Sequence, residues 1–166
     1  MLSNKQTASL EETVFELLKG KGLTAAFAES CTGGFLAKRI TDIAGSSRVF
    51  NGGVVVYSDD AKAKLLGIDP GLIAEKTAVS EEVGREMALR VREKLGADIG
   101  IGITGEAGPL SSGEHPVGDV YISLADESGV FCKLYALGNT REQVRLAATE
   151  TAFGLIVKRL NDMPLE

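Results

Sequence analysis

The chain has 166 residues, a formal net charge of −5 and an isoelectric point near 5.0. That length suits one compact domain, residues 1–166, able to bury roughly two thirds of its surface without disulfides or a structural metal. The acidic balance argues against nucleic-acid partners, whose phosphate backbone needs a basic face, while leaving room for a small local anion site; no apolar run approaches the roughly 18 residues of a membrane span.

In chain order, the polar segment 1–9 has no apolar signal core, which points to a cytoplasmic protein. A first helix starts at Ser9, which has capping-box spacing to Glu12, and carries the stripe Leu10, Val14, Leu17, Leu18 before Gly20 and Gly22 close it. Residues 23–28 read as a short buried strand. A second helix covers 33–44 and stops at Gly45. The β-branched run Val54-Val55-Val56 within 49–57 suggests a buried strand. A short helix over 59–66 ends at Gly67, and Asp69-Pro70-Gly71 reads as a turn.

Ser80 then caps a long helix to Leu95. In the strand 98–104, Ile99, Ile101 and Ile103 alternate with Gly100 and Gly102, a pattern that implies a close backbone approach on the glycine side. A loop over 105–116 is followed by a hairpin, 117–125 and 130–137, and by a last helix over 140–160 with Thr140 and Gln143 at capping-box spacing. An alternating first half followed by a hairpin predicts an α/β fold: a three-layer α/β/α sandwich around a mixed, mostly parallel sheet of about five strands.

The segment Ala28-Glu29-Ser30-Cys31-Thr32-Gly33-Gly34 lies between a strand and a helix, where open α/β folds place ligands. It serves equally well as a plain helix cap. Read as chemistry, Ser30 is a nucleophile in need of a base, and Cys31 competes with it as a thiolate near a helix start. The chain's single histidine, His115, sits in a loop. Lys62 and Lys64 are alternative bases if burial lowers their pKa; otherwise they face solvent. The two cysteines, Cys31 and Cys132, have no metal-ligand spacing. Thr104-Gly105-Glu106-Ala107-Gly108 follows a strand and offers backbone N–H groups to an oxyanion or phosphate, yet matches neither common nucleotide-loop pattern. Arg141 and Arg145 lie four apart in the first turns of the last helix, against its dipole, and form a candidate guanidinium pair for a phosphate.

These segments, with Ile40-Thr41-Asp42-Ile43-Ala44-Gly45-Ser46-Ser47, Tyr57-Ser58-Asp59-Asp60-Ala61-Lys62, Ala78-Val79-Ser80 and Pro116-Val117-Gly118, stand in an order and spacing that resembles the C-terminal domain of the CinA (competence/damage-inducible) family. That family includes stand-alone nicotinamide-nucleotide amidohydrolases. The resemblance covers roughly residues 11–160. It implies a Ser/Lys amidohydrolase, with no metal and no cofactor, that converts nicotinamide mononucleotide to nicotinate mononucleotide and ammonia. Carried across, Ser30 is the nucleophile and Lys62 the general base; N–H groups near Thr32, Gly33 and Gly34 serve the oxyanion; Tyr57 lines the pocket; Thr104, Gly105 and Arg145 hold the nucleotide. The resemblance also implies a small-molecule nucleotide substrate and a homo-oligomer. Asp59, Glu106, His115 and Asp119 depart from the family pattern, each making its position more acidic, less basic or newly charged. Those departures support an alternative expectation, a catalytically weak or inactive nucleotide-binding or assembly module.

Overall fold

A computed structural model describes residues 8–111 and 113–166; the polar segment 1–7 lies outside the described residues. The elements are α1 (Leu10–Lys21), β1 (Ala25–Glu29), α2 (Phe35–Thr41), a 3₁₀ turn (Ser46–Arg48), β2 (Phe50–Val55), α3 (Asp59–Ala61) running into a π-helical turn (Lys62–Leu66), α4 (Pro70–Lys76), α5 (Glu81–Leu95), β3 (Ile99–Gly105), β4 (Asp119–Asp126), β5 (Gly129–Ala136) and α6 (Arg141–Leu160). Among the described residues no helix is long and apolar enough to cross a membrane.

The five strands form one mixed sheet in the order β2-β1-β3-β4-β5. β2, β1 and β3 run parallel, and the β4–β5 hairpin continues the sheet antiparallel from β3. Helices cover both faces. Residues of α1, α2 and α6 pack with Phe27, Ile101, Ile103 and Ile122 in one cluster, and residues of α4 and α5 pack with Ala26 and Ala28 in the other. This is the expected α/β sandwich, and the alternation along β3 explains its two sides. The isoleucines enter the first cluster, while the glycines let α5 come down onto the strand. A Cβ at Gly100 would lie 2.1 Å from the Ala88 carbonyl oxygen, and one at Gly102 would lie 2.6 Å from the Gly84 oxygen.

Several boundaries differ from the sequence expectation for local reasons. Ser9 and Glu12 do form a reciprocal capping box, and the Thr140 hydroxyl accepts from Gln143 N–H. The second helix is shorter than 33–44, because Gly33 and Gly34 take positive φ values of 61° and 94° that belong to the turn. The strand containing Val54 and Val55 is not buried. β2 is an edge strand with Val55 exposed, although Val56 just beyond it is fully buried. Asp69-Pro70-Gly71 opens a helix rather than a simple turn: the Asp69 carboxylate accepts from Gly71 N–H, and Pro70 occupies the first helical position, where its missing N–H costs nothing.

From the two neighbouring strands β1 and β3 the chain goes on in opposite directions, to β2 at one edge and to β4 on the other side. The β1-to-β2 connection carries α2 over one face, and the β2-to-β3 connection carries α4 and α5 over the other. The strands stay paired to Glu29 and Ile103, and the segments that follow them leave in opposite directions, so a crevice opens beyond their carboxyl ends.

Candidate active site

Ser30 follows the last residue of β1 and stays tied to the sheet, its N–H donating to the Ile103 carbonyl over 3.0 Å. Neighbouring Glu29 is held the same way from the other side, accepting from Val56 N–H at 2.8 Å. Side chains alternate faces along a strand, so Glu29 and Ser30 diverge. The Glu29 carboxylate is almost fully buried and accepts from the N–H groups of Gly34, Leu36 and Ala37 at 3.1, 3.0 and 2.9 Å. It fills the start of α2 with the protein's own negative charge. The Ser30 hydroxyl points the other way, towards the segment that follows β2.

That segment brings Lys62. Ser58 caps α3 through its hydroxyl, and the helix widens into a π turn at Lys62, the kind of local insertion that redirects side chains at functional sites. Lys62 is 1% exposed, its Nζ lying 3.3 Å from Ser30 Oγ and donating to the Val56 carbonyl at 3.0 Å. Burial pushes its pKa below the ordinary lysine range; the nearby Asp59 carboxylate acts the opposite way and is smaller. Lys64, the other lysine of this helix, is solvent-exposed and pairs with Asp60.

The hydroxyl and the amine open into a cleft of about 360 Å³, also lined by Cys31, Tyr57, Asp59, Thr104, Gly105, Glu106 and Arg141. Cys31 is no rival nucleophile here: burial pushes its thiol up to about 12, leaving it protonated. Thr104 Oγ1 donates to the Ala78 carbonyl at 2.7 Å, tying the end of β3 to the approach to α5. Tyr57 stands at the rim, more than half exposed, and its hydroxyl accepts from Arg141 at 2.6 Å. The same guanidinium donates to the Gly108 carbonyl at 2.7 Å, joining the segment after β2 to the loop after β3. Among the described residues no group of three or more His, Cys, Asp or Glu side chains is placed to hold a metal ion.

Ser30, Lys62, Tyr57, Thr104 and Gly105 thus meet in one cleft. Thr32, Gly33, Gly34 and Arg145 do not line it, and Arg145 borders a neighbouring groove with Phe35 and Arg141. Gly33 N–H donates to the Ser30 carbonyl and Gly34 N–H to Glu29, so of those three N–H groups only that of Thr32 lacks a protein acceptor among the described residues. Arg145 Nη2 donates to the Thr32 carbonyl at 2.9 Å. His115 sits outside the cleft, 3.3 Å from the Asp119 carboxylate and edge-on to Tyr121. Two roles are not legible in the sequence, although Arg141 itself stands out there as half of a candidate phosphate pair. The cap role of Glu29 needed the register of β1 against α2, and the clamp made by Arg141 needed the loop after β3 to be folded. The wrong-way placement of both arginines against the helix dipole was the signal available for the latter.

Residues 7–160 match the sequence profile of the CinA C-terminal domain. The chain belongs to the CinA C-terminal domain family. A CinA-like protein of Geobacter sulfurreducens is 46% identical over 153 residues, which are 92% of this chain and 37% of that protein. A putative competence-damage inducible protein of Caldanaerobacter subterraneus is 42% identical over 95% of this chain and 38% of its own. This CinA-type domain therefore spans a little over a third of the length of those curated relatives. Solved CinA-family structures match it nearly end to end. A competence/damage inducible protein from Agrobacterium tumefaciens superposes with a TM-score of 0.85 at 35% identity, over 92% of this chain and 95% of that one. The competence damage-inducible protein A of Klebsiella pneumoniae gives 0.87 at 31%, over 93% and 98%.

Proposed function

We propose that this domain is a Ser/Lys amidohydrolase that acts on the carboxamide of nicotinamide mononucleotide, yielding nicotinate mononucleotide and ammonia. The observation that carries the reading is the 3.3 Å approach of a buried Lys62 amine to the Ser30 hydroxyl at the floor of a cleft. A serine alcohol needs a neighbouring base, and a lysine becomes one when desolvation favours its neutral form. Val56 O accepts one N–H of that amine and holds its nitrogen within reach of Ser30.

In the forward step Ser30 Oγ bonds to the amide carbon and its proton passes to Lys62 Nζ. The carbonyl oxygen becomes an oxyanion, for which Thr32 N–H is the one donor of the expected three not already engaged among the described residues. When the C–N bond breaks, the Lys62 ammonium returns the proton to the departing nitrogen, which leaves as ammonia. Water then gives a proton to the same amine and attacks the Ser30 ester; as the acyl C–O bond breaks, the Lys62 ammonium returns that proton to Ser30 Oγ, and the acid product leaves as its carboxylate after losing a proton to solvent. No metal or cofactor is called for in this cycle. The resemblance that suggests the substrate also suggests self-association, which light scattering on the purified protein tests directly.

The decisive experiment measures ammonia release from nicotinamide mononucleotide and related pyridine nucleotides between pH 6 and 9. Turnover by the wild type, reduced to background in both Ser30→Ala and Lys62→Ala with the fold retained, is the expected result; an inert wild type contradicts the assignment. One observation favours a second reading, a binding module without turnover: two carboxylates, Asp59 and Glu106, line the same cleft as Lys62. That alternative predicts a ligand-dependent rise in Tm with no ammonia produced.

A further inference from the structure

Arg141 and Arg145 start from the same place on α6, four residues apart and therefore on one face, yet the structure gives them different surroundings. Arg141 reaches over the rim and lines the cleft with Tyr57 and Gly108. Arg145 does not line it. Its Nη2 donates to the Thr32 carbonyl at 2.9 Å, and a Cβ on Gly33 would sit 3.4 Å from that same nitrogen. Arg145 Nε is fully buried with no hydrogen-bond partner among the described residues, as is Thr32 Oγ1 on the turn it touches. The guanidinium is half-buried against the turn 30–34, where it grips backbone, beside a groove it lines with Phe35 and Arg141.

Apart from Arg145, the bonds that hold that turn come from neighbouring backbone and from Glu29. Glu29 ties its end to the start of α2 through Gly34 N–H, and Gly33 N–H closes it on the Ser30 carbonyl. Gly33 and Gly34 both have positive φ and contribute no side chain of their own. The Thr32 carbonyl accepts from Phe35 N–H at 3.2 Å and from Arg145 at 2.9 Å, so Arg145 supplies its one side-chain donor among the described residues, and the peptide plane it belongs to lies two residues from the nucleophile. A charged donor to a buried carbonyl is one of the stronger hydrogen bonds a protein makes, and it gives a reason for placing a cation where the helix dipole disfavours one.

We infer that Arg145 is a positioning residue: it holds the Thr32 peptide, and through it the Ser30 hydroxyl, in the geometry needed for attack, and it does not contact the ligand's phosphate. The inference rests on the Ser/Lys amidohydrolase reading and deepens it, because it assigns the support of the nucleophile to one arginine and leaves the cleft to the other. Loss of Arg145 then acts on the chemical step. Misplacement of a reacting group by about 1 Å costs on the order of a hundredfold in rate, so Arg145→Met should lose turnover on that scale with KM nearly unchanged. The loss should be equal for a phosphorylated substrate and its dephosphorylated counterpart. Arg145→Lys, which retains the charge but not the planar fork, should fall between the two.

The test measures kcat and KM for nicotinamide mononucleotide and nicotinamide riboside, and the rate at which a serine-acylating fluorophosphonate labels Ser30. Wild type, Arg145→Met, Arg145→Lys and Arg141→Met are compared, each checked for its Tm. Equal kcat losses on both substrates with slower Ser30 labelling in Arg145→Met, partly rescued in Arg145→Lys, is the expected result. A rise in KM confined to the phosphorylated substrate, or labelling as fast as wild type, overturns it. If Arg145→Met does not fold, Arg145→Lys decides by the same two readouts. A wild type that is neither labelled nor active defeats the amidohydrolase reading and the inference with it, whereas a labelled wild type whose Arg145 variants are labelled equally fast defeats the inference alone.

Discussion

At the scale of single residues, the chemistry rests on how burial treats two neighbouring groups. The same desolvation lowers the pKa of Lys62 and raises that of Cys31, because in each case it disfavours the charged form. For the lysine this favours the neutral amine that the proposed mechanism needs; for the cysteine it favours the thiol. Activity should rise with pH as Lys62 loses its proton, with the acid limb of kcat/KM below the ordinary lysine range. The Asp59 carboxylate stabilises the ammonium, so Asp59→Asn should let the proton go at lower pH and move that limb to lower pH. A pH profile of the two proteins checks the sign; an unmoved limb, or one moved upward, contradicts it. Cys31 should resist alkylation by iodoacetamide at pH 8 in the folded protein and react readily once denaturant opens it, a difference mass spectrometry resolves.

At the scale of elements, close approach between strand and helix sets the positions of the site's walls. β3 can carry the loop 105–116 to the cleft only because α5 packs directly on Gly100 and Gly102. In Gly102→Ala the new Cβ would meet the Gly84 oxygen at 2.6 Å and the Ala88 nitrogen at 2.7 Å. Both are backbone atoms of one helix and cannot turn aside. Overpacking of this kind costs about 1–3 kcal/mol, and this substitution belongs at the upper end. A lower urea midpoint at unchanged m-value is the measurement. The alternation of Ile and Gly made this contact legible in the sequence. The site itself was only half legible. A strand-to-helix turn bearing Ser30 stands out by its composition, but the π turn that delivers Lys62 leaves no sequence signature of its own. Helix α4 was hidden by Asp69-Pro70-Gly71, where the same residue types open a turn or a helix, and only the residues that follow and their packing decide between them.

At the scale of the whole molecule, the sheet order decides where function resides and the net charge decides how ligands arrive. The chain carries −5 overall, so an anionic nucleotide approaches against a repulsive field. Salt shortens the Debye length from about 30 Å at 0.01 M to about 8 Å at physiological ionic strength. kcat/KM for nicotinamide mononucleotide should therefore increase over that range, provided encounter contributes to the rate. Nicotinamide riboside, lacking the phosphate, should show no such increase. A decrease for the nucleotide would mean that a local positive field at the cleft outweighs the global charge.

The sequence by itself determined the fold class, the helix caps at Ser9 and Thr140, the glycine-facing side of β3 and the family to which the chain belongs. Each depends on local periodicity or on residues whose backbone demands are specific. Only the tertiary structure decided that Lys62, rather than Lys64 or His115, meets Ser30, that Glu29 occupies the start of α2, and that Arg141 and Arg145 part company. Those outcomes depend on contacts between segments distant in the chain, and on burial, which acts on a charge only after the surrounding elements have closed over it.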